Sequence, residues 1–201
     1  MSGRGEVSAA PDMAIISLGV RTEGAEAAPT LRENNTAQAA VIEALKQAGI
    51  EARDIQTSGL QLDQRMAYPD NAAPRIEGYS ASNMVTVRLR DLAGLGEVLD
   101  AAIEAGATNM ADLRFAREDD AALRDEARKA AVEDAMQRAR LYAEAAGVTL
   151  GKVRMIAESA STGPQPRPMA MMARAQADSV PVESGELSLS AEVRMEFTLD
   201  Q

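Results

Sequence analysis

Histidine, cysteine and tryptophan are absent from this chain of 201 residues, and aromatic residues make up only 2% of it. Without cysteine there are no disulfides, no thiolate metal sites and no thiol nucleophile, and the redox compartment is left open. Losing histidine as well removes the commonest general base, the commonest zinc ligand and Ser-His chemistry. An ordinary hydrolase is therefore not expected, and neither is a cofactor. Cationic charge is short too: 21 Lys and Arg stand against 31 Asp and Glu, a formal net charge of −10. That balance argues against nucleic acid, whose phosphates need Lys and Arg, and against anionic membrane surfaces. No apolar run approaches the roughly 20 residues of a membrane-crossing helix, so direct membrane insertion is not expected. Residues 1–7, Met-Ser-Gly-Arg-Gly-Glu-Val, lack the apolar stretch of a secretory signal.

What is present is a core's worth of small aliphatic residues, 46% hydrophobic with alanine prominent. Alanine buries little area, so packing must come from helices lying close to their sheet. Residues 78–92 form the most regular stretch. Tyr79, Ala81, Val85, Val87 and Leu89 alternate with Ser80, Ser82, Thr86, Arg88 and Arg90, the period-2 pattern of a half-buried strand, with only Asn83 and Met84 exchanged.

Residues 6–21 read as one strand bent at Pro11-Asp12, with Ala14, Ile16, Leu18 and Val20 on one face. A helix follows over residues 26–48, its face carrying Leu31, Asn34, Val41, Leu45 and Ala48, with Pro29 tolerated in the first turn. Ala48-Gly49-Ile50, Ala105-Gly106-Ala107 and Ala146-Gly147-Val148 repeat one helix ending, glycine in the left-handed position. Residues 55–66 form a strand with Leu60, Leu62 and Met66 in phase and a bulge expected at Ser58-Gly59. With residues 67–75 as the turn, this strand and residues 78–92 make a long hairpin within residues 55–90. At about 3.3 Å per residue its arms reach roughly 40 Å, so it is expected to project.

A short helix over residues 91–105 and a strand over 110–116 come next, then a long helix over 119–146 with Ala131, Ala135, Ala139, Tyr142 and Ala146 as its apolar stripe. Val153, Met155 and Ala157 mark another strand. Residues 159–186 read as a proline-rich loop, and residues 187–199 as a final alternating strand. The fold class is α+β: a split βαβ, ferredoxin-like order β-α-β-β-α-β, extended by α-β-β, with a long projecting β-hairpin. Residues 1–201 read as a single domain. The best candidate boundary, residues 116–120, would leave a C-terminal part too poor in strands to close a core.

By their order, several short motifs give the chain a resemblance to a known family. They are Gly3-Arg-Gly5-Glu-Val7 with Pro11-Asp12, Asn34-Asn35, Ala48-Gly49-Ile50 with Asp54 to Thr57, Gly78-Tyr79 with Val85 to Val87, Gly94 to Val98, Ala127 to Ala131, and Ala146-Gly147-Val148 with Leu150 to Val153. The chain resembles the bacterial SIMPL-domain proteins over nearly its whole length. The resemblance implies an α+β fold, periplasmic residence after removal of a signal peptide, links to oxidative stress and the outer membrane, and in some members a ring-like or channel-like homo-oligomer. It implies no catalytic residues, because the family has no established enzymatic activity.

Candidate residues follow from the hairpin and the proline-rich loop. Tyr68, Tyr79, Ser80, Ser82, Met169 and Met171 are the expected homo-oligomer interface, since a projecting sheet edge can pair with a second subunit. The alternative is a monomeric stress-related binding module holding a small ligand or an unfolded client. No small-molecule substrate is expected. Other polar groups have a chemical reading and a structural one. Asn34-Asn35 could bind a ligand amide, but an inward Asn more often satisfies backbone. Asp54 and Thr57 suit a turn. Asp91, Asp100, Glu118, Asp119 and Asp120 could hold a metal or work as paired carboxylates, though 118–120 sits where a helix start wants acids. Met169, Met171 and Met172 with Met66, Met84 or Met155 could offer thioethers to Cu(I), but adaptable apolar contact is the usual role of such clusters. Gly3-Arg-Gly5 is no dinucleotide loop, since no strand precedes it and no helix follows.

Overall fold

The computed structural model describes residues 1–69, 73–159 and 183–200, with the backbone of Gln165–Arg167. The chain forms two compact units. One contains Asp12–Phe115; the other contains Met1–Pro11 and the described residues of Ala116–Ala173 and Ser184–Gln201.

The Asp12–Phe115 unit is built from β2 (Met13–Gly24), α1 (Ala27–Gln47), β3 (Ile55–Ala67), β4 (Arg75–Leu89), α2 (Leu95–Glu104) and β5 (Asn109–Ala116), with sheet order β3-β4-β2-β5. β2 and β4 are antiparallel from Ala14↔Leu89 to Gly24↔Tyr79, which sets Ala14, Ile16 and Leu18 beside Leu89, Val87 and Val85 on one face. Val41 and Leu45 of α1 and Leu95, Val98, Leu99 and Ala102 of α2 close over those residues in a single aliphatic core. Each large aliphatic side chain removed from water there contributes about 1.5–3 kcal/mol. The hairpin of β3 and β4 is paired from Ile55↔Val87 to Ala67↔Arg75, and its ladder is irregular between Thr57 and Gly59, where the bulge was expected.

The second unit has β1 (Ser2–Ala9), α3 (Ala121–Ala145), β6 (Thr149–Ser159), β7 (Gln165–Arg167) and β8 (Glu186–Asp200), in the order β1-β8-β6, with β7 also on β8. The N-terminal stretch is thus two strands in two sheets and not one bent strand. Pro11 offers no N–H to a ladder, and the chain leaves one sheet just before it. β1 runs antiparallel to β8 from Ser2↔Arg194 to Ala9↔Leu187, and so supplies the strand that the C-terminal sequence by itself lacks.

α3 lies on β1 and β8 through Ala127, Ala131 and Ala135, against Ala191, Val193 and Met195. Two glycines make that approach possible. A Cβ on Gly3 would stand 2.1 Å from the Ala131 carbonyl oxygen, and one on Gly5 2.0 Å from that of Ala127. The buried stripe continues to Ala139 and Ala143, whereas Tyr142 and Ala146 are exposed. Stepping i to i+4 keeps small residues on the sheet; the i+3 step to Tyr142 turns off it.

The helices α1, α2 and α3 end alike. Gly49, Gly106 and Gly147 have φ of 90°, 105° and 70°. Their N–H groups donate to Lys46, Ile103 and Glu144, and the next N–H donates to Leu45, Ala102 and Ala143. These are the paired bonds of a Schellman ending, as the repeated Ala-Gly sequence led one to expect.

Candidate assembly interface

β3 is an edge strand: β4 pairs with one side of it, and among the described strands nothing pairs with the other. Its side chains are exposed almost throughout. Leu60 stands opposite Asn83 and Leu62 opposite Ala81, so both belong to the face that α1 covers further in. The helix does not reach them, and Leu60 remains 59% exposed. Tyr68 at the tip is 76% exposed, and Ile76 and Met66 add further apolar surface there. Arg65 pairs with Glu23 at 2.9 Å, so charge is gathered beside this apolar edge. An uncapped edge strand with exposed leucines is a template for pairing.

The expected interface residues fall in different places. Tyr68 is at the exposed tip. Tyr79, opposite Gln64, and Ser82, opposite Gln61, are half-buried and point to opposite faces of β4. Ser80 is only 5% exposed and has no surface to offer. The expected projection of the hairpin is corrected over Tyr79–Asn83: β4 is flanked there by both β2 and β3, and only the part beyond Gly24↔Tyr79 stands clear of β2. Met169 and Met171 lie outside the described residues. Most of the proline-rich loop does as well, but within it Gln165–Arg167 pairs with β8 as a strand. The alternation of Leu60 and Leu62 marks an apolar strand face but not its exposure, which follows from β3 being an edge among the described strands.

In the second unit β6 is likewise an edge, with Ile156 56% exposed and Val153 and Met155 partly so. An open groove of about 550 Å³ lies near the end of α3, lined in part by Tyr142, Leu150, Met195, Phe197 and Leu199.

Asn34, Asp54, Asp91, Asp119 and Asp120 are each held by contacts within the fold. Asn34 donates through Nδ2 to the carbonyls of Val20 at 2.9 Å and Ala81 at 3.1 Å, joining α1 to two strands, while Asn35 is exposed. Asp54 closes a short 3-10 turn, is nearly buried and forms an ion pair with Arg90 beside a cavity of about 350 Å³. Arg90→Ala strips that carboxylate of its cation and is expected to cost about 1–3 kcal/mol, checked by urea denaturation. Asp91 Oδ1 accepts from Ala93 N–H at 3.1 Å, and Asp119 Oδ1 from Ala121 N–H at 2.9 Å. Among the described residues no group of three or more Asp and Glu is placed to hold a metal ion.

Asp120 accepts from Arg124 Nε and Nη2, each at 2.7 Å, and this hydrogen bonding, together with the charge of Arg124, holds its carboxyl below the ordinary range. The folded value is the lower one, so the stabilisation is complete above about pH 4 and is lost as pH falls through the lowered value. The pair is largely solvated and its contribution is under about 1 kcal/mol. Faster amide exchange in the first turn of α3, setting in below about pH 4, is the expected sign.

The fold and its surfaces define an α+β protein with apolar sheet edges that no described strand covers. Comparison with known proteins then gives the particular family. The chain belongs to the SIMPL family, described as protein of unknown function (DUF541), whose model matches residues 1–197. It is 39% identical over 209 aligned positions to the 26 kDa periplasmic immunogenic protein of Brucella melitensis, covering 99% of this chain and 83% of that one. It is 30% identical over 199 positions to the uncharacterized protein YggE of Escherichia coli K12, covering 99% and 79%. Among the described residues no helix is long and apolar enough to cross a membrane.

Proposed function

We propose that this chain is a non-enzymatic subunit of a homo-oligomer working outside the cytoplasm, joined to a second copy along the edge of β3 and the hairpin tip. The observation that carries this reading is the exposure of Leu60, Leu62, Tyr68 and Ile76 on or beside a strand with an unpaired edge. Pairing that edge satisfies its backbone groups and removes the leucines from water in one step. Tyr79 borders the same surface. The extracytoplasmic placement is supported by the Brucella relative, which is named periplasmic. Tyr68→Lys is expected to weaken association by about tenfold or more, and Tyr79→Ala to weaken it less, as read by sedimentation velocity. If neither changes the sedimentation profile, this edge is not the interface.

A second reading rests on the apolar groove of the other unit. It makes the protein a monomeric module that holds a small apolar ligand against Tyr142, Phe197 and Leu199. Concave, mostly apolar sites of this size suit such ligands. Saturable binding of a hydrophobic dye that Tyr142→Glu abolishes and Tyr68→Lys spares would favour it.

A further inference from the structure

The face of α1 that meets the sheet is aliphatic at Val41 and Leu45 but polar one and two turns earlier, where Gln38 and Asn34 are buried. Asn34 is fully buried and both Nδ2 hydrogens are used, on Val20 and Ala81; its Oδ1 has no partner among the described residues. Gln38 lies one turn on, is 2% exposed, and neither Oε1 nor Nε2 has a partner. Asn83 sits opposite Val20, whose carbonyl Asn34 bonds, and its Oδ1 is sealed from solvent without a partner. Alternation along β4 puts Asn83 on the face of Ala81 and Val85, the face under α1.

Two buried amide side chains and the half-buried Asn83 therefore lie on the face between α1 and the sheet, and the atoms they keep sealed from solvent do not pair off among themselves. The unmatched acceptors are Asn34 Oδ1, Asn83 Oδ1 and Gln38 Oε1. The one unmatched donor group is Gln38 Nε2, with two hydrogens. If small side-chain shifts gave both to the Asn oxygens, Gln38 Oε1 would still lack a donor. Turning the Gln38 amide over exchanges its ends without changing the count; turning Asn83 over would bring a second donor inward, but with Asn83 Oδ1 inward, as in the structure, the count stays open. The ladder is irregular at the same level: β3 bulges between Thr57 and Gly59 opposite Val85 and Met84, and a Cβ on Gly19 would stand 2.0 Å from the Asn83 carbonyl oxygen.

We infer that this layer is an internal water site, in which at least one ordered water bridges Asn34, Gln38 and Asn83 and ties α1 to β2 and β4. Water fits the inventory. One molecule donates twice, to two amide oxygens, and accepts from Gln38 Nε2, the three bonds typical of buried water. A cation does not fit, because no carboxylate joins the layer and an uncompensated buried charge is far more costly than a neutral ligand. The water site gives Asn34 and Gln38 a role in fixing the register of α1, which aliphatic residues alone leave free to slide.

High-resolution crystallography of the full chain tests it. Expected is an ordered solvent peak within about 2.7–3.2 Å of Asn34 Oδ1 and of Asn83 Oδ1 or Gln38 Oε1. A continuous protein-only layer with no solvent peak overturns the inference, whatever the stability data say. The second measurement is the melting temperature of Gln38→Leu, which removes one corner of the bridge while keeping the volume. A fall of about 3–6 °C is expected, because the water and the Asn oxygens lose a partner. A rise overturns the inference, since it would mean that Gln38 stands there unpaired and apolar replacement relieves it.

Discussion

A Gly5→Val variant is expected to lose the packed structure of the unit containing α3. Even the first carbon of the new side chain would fall 2.0 Å from the Ala127 carbonyl oxygen and 2.5 Å from the Ala131 amide nitrogen. Both are helix backbone, which cannot rotate aside as a side chain can, so α3 must lift off β1. The alanine stripe then no longer reaches Ala191 and Val193, and its contacts go together. Overpacking ordinarily costs about 1–3 kcal/mol, and a forced separation of backbones belongs at or above the top of that range. In a chain of this size the melting temperature falls by about 6–12 °C or the unit's transition disappears. Gly5→Ala should do nearly as much, because the clash is at Cβ. Gly94→Ala is the control: its Cβ would come no closer than 3.6 Å to the Asp91 carboxylate, so its effect should stay under about 1 kcal/mol.

Leu60→Lys with Leu62→Lys is expected to dissociate the assembly while leaving the subunit folded. Both side chains are exposed in the subunit, so charge there should change its stability by less than about 1 kcal/mol. In an assembly built on the β3 edge the same two positions become buried. Removing two leucines' worth of apolar burial, about 1.5–3 kcal/mol each, and adding like charges across the interface raises the dissociation constant by about 100-fold or more. Sedimentation velocity over a concentration series reads the shift, and circular dichroism confirms the fold. Ile156→Lys on β6 separates the two edges: if it, and not the β3 pair, dissociates the assembly, the interface belongs to β6.

Periodic elements were legible in the sequence because their signal is local. The alternation of Val85, Val87 and Leu89, the three Ala-Gly helix endings and the bulge before Gly59 all follow from residues near one another in the chain. What was not legible depends on partners far away. β1 reads as the first half of a bent strand until β8, almost two hundred residues on, is seen beside it. Gly3 and Gly5 read as a loose motif until α3 is laid over them. Leu60 and Leu62 have the pattern of a core face, and only the sheet order makes them surface. Asn34 is the middle case. Its role in satisfying backbone was foreseen, but the unmatched oxygens around it depend on Gln38 and Asn83 arriving at the same level of the sheet.

The central claim is self-association, and the most direct test is the mass of the unmodified chain in solution. Light scattering coupled to size exclusion, at subunit concentrations of about tens of micromolar, is expected to give an integral multiple of the 21.3 kDa chain, falling toward one subunit in the Leu60→Lys, Leu62→Lys variant. A single species at one subunit's mass, unchanged by raising the concentration, would contradict it.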